Sequence, residues 1–267
     1  MAVAPRLRCG LGNRLFQTMA AIGEAERSNG TPVFFLPRIS QEHGGFEILF
    51  QLFPNIPLIE TAPTWQEIDE SQLSTNIRTH TTPLTQNLAV LSGFFQDEKF
   101  FPTLENPHWP RLPAVNPPSD SWGIHFRFGD YQILKHYHVD LSRYYYYTIT
   151  KIPKGSTVTL FSDSPERLPT IMKEIEGLGY KVKIFNNPDI LETLKAFAAC
   201  VKGVCSNSTF AWWAAYFAWR ANNDYRAYIP NRWLTTHEPV RLNHPFTQTV
   251  DLDSINAEPA LLSFSHS

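Results

Sequence analysis

Arg127 lies in Gly123-Ile124-His125-Phe126-Arg127-Phe128-Gly129-Asp130-Tyr131, an apolar run that breaks at Gly129. If residues 122–127 end a parallel strand, His125 and Arg127 leave the same face of it, because strand side chains alternate with period two. Both then address one ligand at the carboxyl edge. A guanidinium is a planar, permanently charged donor fork that matches phosphate oxygens, so the chemistry suggested is stabilisation of a diphosphate leaving group. An arginine satisfied by carboxylates and a core histidine would leave the same pattern. Asp130, in the turn after the strand, either orients Arg127 or caps the turn.

Three further segments carry the same theme. Gly10-Leu11-Gly12-Asn13-Arg14-Leu15-Phe16-Gln17 places Gly10 and Gly12 before a helix-like stretch, where backbone can approach a ligand and first-turn N–H groups favour an anion. It lacks the third glycine of the dinucleotide fingerprint and the Lys-Ser/Thr of a P-loop, which argues against dehydrogenase and NTPase readings. Asn13 is either a ligand contact or a helix N-cap. In Gly203-Val204-Cys205-Ser206-Asn207-Ser208-Thr209-Phe210-Ala211-Trp212-Trp213 a buried strand runs into small hydroxyl and amide residues and then an apolar helix. Ser206, Asn207, Ser208 and Thr209 thus fall at a helix N-terminus, a place for phosphate, while Trp212 and Trp213 pack a turn further in. Asp163, in Phe161-Ser162-Asp163-Ser164-Pro165, either accepts from a ligand hydroxyl or starts the next helix.

The elements that must hold these residues follow from hydrophobic spacing. Pro102, Pro107, Pro110, Pro113, Pro117 and Pro118 are too dense for a helix or inner strand. They predict lobes at residues 1–105 and 121–267 joined by a Pro-rich linker at 106–120. Before the linker, residues 12–28 read as a helix and 32–36 as a strand, with short apolar runs at 56–59 and 88–91. After it, strands at 122–127, 157–161, 181–185, 203–205 and 226–229 alternate with helices at 141–150, 165–177, near 189–199 and 208–221. That alternation predicts right-handed βαβ units and a parallel sheet binding ligand at its carboxyl edge.

Composition narrows the class. The 267 residues are 43% hydrophobic and 13% aromatic with a formal charge of −2, which suits a globular protein and offers no basic stripe for nucleic acid. No window approaches a membrane span and the first residues lack a signal-like apolar core. Cys9, Cys200 and Cys205 show no metal-ligand spacing and read as reduced thiols of a reducing compartment. Asp251-Leu252-Asp253, in the tail, reads as surface carboxylates, and His136, His138 and Asp140 with His125 are too sparse for a metal centre.

The four segments at residues 10–17, 91–96 (Leu91-Ser92-Gly93-Phe94-Phe95-Gln96), 123–131 and 206–213 together resemble the α-1,2-fucosyltransferase family, glycosyltransferase family 11-like. The family writes the first, third and fourth of these G-L-G-N-Q-L-F-Q, H-x-R-R-G-D-Y and S-N-S-T-F-S-W-W. Here Arg14 replaces Gln, Phe128 replaces the second Arg, and the acid expected near the base falls at Glu192-Thr193. The resemblance implies an α/β, GT-B-like fold of two Rossmann-type lobes facing a cleft, with acceptor bound on the first lobe and nucleotide sugar on the second. It implies metal-independent, inverting transfer of fucose from GDP-fucose to a hydroxyl of a glycan acceptor, with no cofactor beyond that donor. Carried over, donor contacts fall on Gly10, Gly12, Asn13, His125, Arg127, Asp163, Ser206, Asn207, Ser208 and Thr209. Arg127, Asp130 and His138 are the catalytic candidates, with Asp130, His138 and Glu42 considered as the base. Acceptor specificity is expected in loops such as 39–45 and 61–82. Without an anchor, the form expected is soluble and cytoplasmic, a bacterial or viral member or an excised catalytic domain. Another nucleotide-sugar donor and a non-catalytic binding module are the competing readings.

Overall fold

The computed structural model describes residues 1–40, 46–76, 87–112, 120–236, 242 and 244–264. The chain divides into two compact units, Met1–Pro113 and Ala114–Ser267. In the Pro-rich segment, Trp109 is buried and donates Nε1–H to Thr103 O at 2.7 Å, and Arg111 N–H meets Leu52 O at 2.9 Å. These contacts fasten the first part of the segment to the first unit.

The first unit contains β1 (Ala2–Pro5), α1 (Leu11–Arg27), β2 (Thr31–Pro32), β3 (Phe34–Phe35), α2 (Phe46–Leu52), β4 (Leu58–Ile59), β5 (Trp65–Asp69), α3 (Glu70–Asn76) and β6 (Leu88–Ser92). Its parallel sheet runs β2-β1-β6-β5, while β3 pairs β4 separately. The strand expected over 32–36 is thus divided: Pro32 pairs with Val3, and Phe34 and Phe35 pair with β4. Proline has no N–H with which to continue a two-sided ladder. Leu15, Phe16, Met19, Ala20 and Ile22 of α1 are buried, as their spacing predicts. The strands β1 and β5 were not expected; β1 is four residues of small side chains, and β5 buries Ile68 alone.

The second unit contains β7 (Trp122–Phe126), α4 (Ser142–Thr150), β8 (Thr157–Ser162), α5 (Leu168–Gly177), β9 (Lys181–Ile184), α6 (Ile190–Ala198), β10 (Lys202–Val204), α7 (Thr209–Ala221), β11 (Ala227–Pro230) and β12 (Thr247–Val250). Its six strands pair in parallel in the order β12-β11-β10-β7-β8-β9. The chain winds outward from β7 through β8 to β9, then returns to β10 on the other side and winds away through β11. Adjacent β7 and β10 therefore form the topological switch point, where a crevice opens beyond the carboxyl ends. Both sheet faces are covered, so β7 is buried along its whole length. Ile124 and Phe126 join the core built on α4 and α5, while on the other face a Cβ at Gly123 would stand 3.1 Å from Cys200 Sγ and 3.2 Å from Phe197.

None of the three cysteines is in a disulfide. Burial pushes the Cys200 thiol up to about 12 and Cys205 higher still. Among the described residues no helix is long and apolar enough to cross a membrane.

Candidate functional site

The β7 alternation continues past the end of the strand. Phe126 and Phe128 stack at 6.4 Å with 4° between their planes, and Phe128 also lies 5.4 Å from Phe264. His125 and Arg127 consequently take the opposite register, as period two requires. Phe128, the departure from the family motif, is fully buried with the Arg167 guanidinium 4.0 Å above its ring.

Arg127 stands at the rim with its side chain 28% exposed. Its Nη2 donates to Asp130 Oδ1 at 2.5 Å, its Nη1 lies 3.0 Å from Asp163 Oδ2, and its carbon sits 5.2 Å from the Tyr131 ring centre. Nε meets no acceptor among the described residues. Burial alone would favour losing the charge, but Asp163 and Asp130 outweigh it and hold the guanidinium charged. The Asp130 side chain therefore orients Arg127, and its carbonyl forms the turn by accepting from Ile133 and Leu134. Asp163 does not start a helix. Its Oδ1 accepts from Phe128 N–H at 2.9 Å, so one carboxylate fixes both the backbone beside Arg127 and the fork itself. Arg127 is thus neither swallowed by the core nor free of carboxylates, and among the described residues only its remaining edge is left for an anion.

Across the switch point, His125 Nδ1 meets Ser206 Oγ at 2.8 Å. Burial, then the charge of Arg127, lowers the imidazole to about 3, so His125 is neutral at physiological pH. Asn207 is turned inward: its amide donates to Trp233 O at 3.1 Å and Tyr137 O at 3.3 Å, and its carbonyl accepts from Tyr131 Oη at 2.8 Å. Three loops are clamped by this one residue. From α4, Tyr144 donates to Cys205 O at 2.7 Å and Tyr145 to His125 O at 2.9 Å, tying down both sides of the switch point. Ser208 is the N-cap of α7 but makes no side-chain cap bond, and Thr209 opens the helix. Trp212 and Trp213 are fully buried, as packing residues.

In the first unit the segments at 10–17 and 91–96 meet. Asn13 Oδ1 accepts from Gln96 Nε2 at 2.9 Å, and Gln17 bridges Arg8 N–H at 3.0 Å and Gly93 O at 3.2 Å. Gly10, not Asn13, is the N-cap of α1, and Gly12 and Asn13 lie inside the first turn. That removes the capping alternative for Asn13. Arg14 is buried, donating Nε–H to Cys9 O at 2.8 Å and Nη2–H to Ser40 O at 3.1 Å, a structural brace for the turn where Cys9 has φ of 64°.

The remaining candidates are scattered. Half-buried His138 ends the turn Lys135–Tyr137, its N–H donating to Lys135 O at 3.1 Å. Asp140 caps Ser142 N–H at 2.9 Å, Asp251 accepts from Asn231 at 2.8 Å, Asp253 pairs with Arg232 at 2.9 Å, and Glu192 pairs with Lys195 at 2.8 Å. Among the described residues no group of three His, Cys, Asp or Glu could hold a metal ion. Glu42, most of the 39–45 loop and part of the 61–82 loop lie outside the described residues. Sequence reasoning gave no role to Tyr145, Tyr131 or Gln96, although the last two stand inside recognised segments; their partners are distant in sequence.

By sequence, residues 111–227 match Glycosyl transferase family 11. No curated protein matches the chain. In structure it is similar to NodZ α-1,6-fucosyltransferase of Bradyrhizobium, in a crystal soaked with GDP-fucose, at 14% identity and a TM-score of 0.48 over 80% of this chain and 92% of that one. It is also similar to a mutant of Arabidopsis thaliana FUT1 in complex with GDP, at 10% identity and a TM-score of 0.51 over 85% of this chain and 69% of that one. The latter likeness shows the fold, α/β with parallel sheets, of the GT-B-like class that the sequence predicts.

Proposed function

We propose, from the premise that residues 111–227 are a Glycosyl transferase family 11 domain, that this protein transfers fucose from GDP-fucose to a hydroxyl of a glycan acceptor, in α-1,2 linkage and with inversion. The observation that carries the reading is the Arg127 guanidinium, fixed by Asp163 and Asp130 beyond the end of β7. As the bond from the fucose anomeric carbon to the β-phosphate oxygen breaks, its electron pair and charge pass to GDP. The open edge of Arg127 receives that charge in a site organised beforehand, which is where electrostatic catalysis is strongest. The uncapped first turn of α7, with Ser208 and Thr209, supplies N–H and hydroxyl donors to the same diphosphate. Ser206, His125 and Asn207 hold the floor beneath it. A neutral His125 contributes a hydrogen bond rather than a charge.

The acceptor oxygen attacks the face opposite the departing diphosphate, a single displacement that inverts the anomeric centre. Its proton passes to a base, for which Asp130 stands first because its side chain is 48% exposed beside Arg127; His138 is second. The guanidinium takes the developing charge, so the reaction is proposed without a metal. The lobe at 121–267 takes the donor and the lobe at 1–105 the acceptor. Incubation with GDP-fucose and a panel of galactosides, followed by proton NMR of the product, tests the reading: an inverted fucoside is expected, and a retained configuration refutes the mechanism.

A second reading keeps the scaffold and changes the donor. Phe128 faces the core and Glu192 is held by Lys195 at 2.8 Å, so neither residue repeats the family's donor chemistry. Calorimetry with GDP, UDP and ADP separates the two, and binding of UDP without GDP would favour the second.

A further inference from the structure

Three arginines share one surface of the first unit. Leu7 and Ile39 form a parallel bridge, Leu7 N–H donating to Arg38 O at 2.9 Å and Ser40 N–H to Leu7 O at 2.8 Å, and both side chains are buried. Alternation turns Arg6, Arg8 and Arg38 to the other face, with Arg6 opposite Arg38. Like charges directly opposite each other are destabilising. Glu67 answers part of this: its Oε1 accepts from Arg6 Nη1 at 2.6 Å, and it also feels the charge of Arg38.

Arg8 and Arg38 make no ion pair among the described residues. Each instead stacks on an aromatic ring, Arg8 at 4.7 Å from the centre of Phe94 and Arg38 at 4.1 Å from that of Trp65, and both rings are 37% exposed. Stacking fixes a guanidinium plane without consuming any in-plane N–H. The Nε of each is shielded from solvent and has no acceptor among the described residues. Asp69, which feels the charge of Arg8, accepts at Oδ1 from Ser71 N–H at 2.9 Å and Ser71 Oγ–H at 2.7 Å, and Glu70 Oε2 accepts from Phe94 and Phe95 N–H at 2.8 and 3.1 Å. Their charges temper the patch, and among the described residues neither arginine fork meets an acceptor.

We propose that Arg8 and Arg38 form a subsite for an anionic group carried by the acceptor, so that the substrate is an acidic glycan bearing a carboxylate or sulfate. A planar fork pairs with either group through parallel charge-assisted hydrogen bonds. The inference rests on the transferase reading for the word acceptor and adds the acceptor's chemical class.

The test is calorimetric titration of the protein with a glucuronate-terminated tetrasaccharide, its carboxyl-reduced glucose counterpart and a sulfated counterpart. The acidic glycans should bind at least about tenfold more tightly than the neutral one, the worth of one charge-assisted contact. The gap should narrow between about 0.05 and 0.5 M NaCl. Arg8→Gln and Arg38→Gln should each shrink it with circular dichroism unchanged, and Arg8→Lys, which keeps charge but not the fork, should retain part of it. The tighter of the two acidic glycans identifies the group. Equal binding of all three glycans, or a preference undiminished in both Gln variants, overturns the subsite. Titration with GDP reports separately on the donor: a protein that binds GDP but ignores the acid loses only this inference, and one that binds the acidic glycan but no GDP loses the transferase reading.

Discussion

Asp163 spends both oxygens on the β7 rim, one on Phe128 N–H at 2.9 Å and one on Arg127 Nη1 at 3.0 Å. If its service to the reaction is to hold the guanidinium, its loss matters only while Arg127 is present. Arg127→Ala removes the fixed cation from the place where the proposed reaction would develop leaving-group charge. Measured against loss of one preorganised oxyanion donor, that costs about 3–4 kcal/mol, or roughly 160- to 900-fold in kcat/KM. Asp163→Ala leaves Arg127 tied to Asp130 alone, whose side chain is 48% exposed and whose pairing is correspondingly weak. Losing a charge-assisted bond of this kind costs about 1.5–3 kcal/mol, or roughly 10- to 150-fold.

Simple addition would put the double variant about 4.5–7 kcal/mol below the parent. The geometry predicts instead that Arg127→Ala/Asp163→Ala falls no lower than Arg127→Ala, within about 0.5 kcal/mol. Asp163 without its arginine would set a bare carboxylate against the diphosphate, so its removal in that background carries no further loss. Initial rates of GDP release at saturating acceptor decide it, with circular dichroism and melting curves to confirm folding. Additive losses would refute the view that Asp163 acts through Arg127. An unimpaired Arg127→Ala would refute the role of the guanidinium itself.

Three other perturbations read separate parts of the structure. A Cβ at Gly129 would overlap Asp163 Oδ2, so Gly129→Ala should reproduce the rate loss of Asp163→Ala and add nothing in that background; additive kinetics would contradict it. Asn207→Ala leaves Trp233 O without its amide donor and Tyr137 O with Val139 N–H at 2.7 Å in place of two donors and should lower stability by about 1–3 kcal/mol in urea unfolding, whereas an unchanged midpoint would mean that Asn207 serves ligand alone. Burial, then the charge of Asp97, raises the Glu98 carboxyl to about 7 from 4.5, and its Oε1 is shielded without a partner. The native state therefore binds the proton more tightly than the unfolded chain, and stability falls as pH rises through that window; with solvent screening of a half-buried group the loss is about 1–2 kcal/mol. Urea melts of Glu98→Gln at pH 5 and about 8 should show a smaller gap than the parent's, and an equal gap would exclude Glu98 as the cause.

The second unit was legible because its strands and helices change hydrophobic period cleanly, from β7 through α7, and Asp189 marks a helix start by accepting from Leu191 and Glu192 N–H at 2.7 and 3.0 Å. What stayed hidden is partnership across strands. Asp130 is three residues from Arg127 and could be proposed as its orienter, but Asp163 becomes one only through the pairing of Phe126 with Ser162 on β8. His125 and Ser206 likewise meet because β7 and β10 are neighbours, and Asn13 finds Gln96 through the packing of the first unit. In the first unit β5 was invisible, since a strand with one buried residue leaves no alternation to read.

Phe128 shows how register changes the meaning of a substitution. Beside Arg127 in sequence, it stands where the family motif has a second arginine. In space it shares the side of Phe126, packs on Phe264 and is covered by Arg167, so an arginine placed there in this chain would bury a charge in an aromatic cluster. The position belongs to the core of the unit, and the backbone N–H of Phe128, not its side chain, is its link to Asp163. Of the two motif positions, 127 and 128, only Arg127 consequently offers a charge at the rim, which is why a single substitution there carries so much of the expected loss.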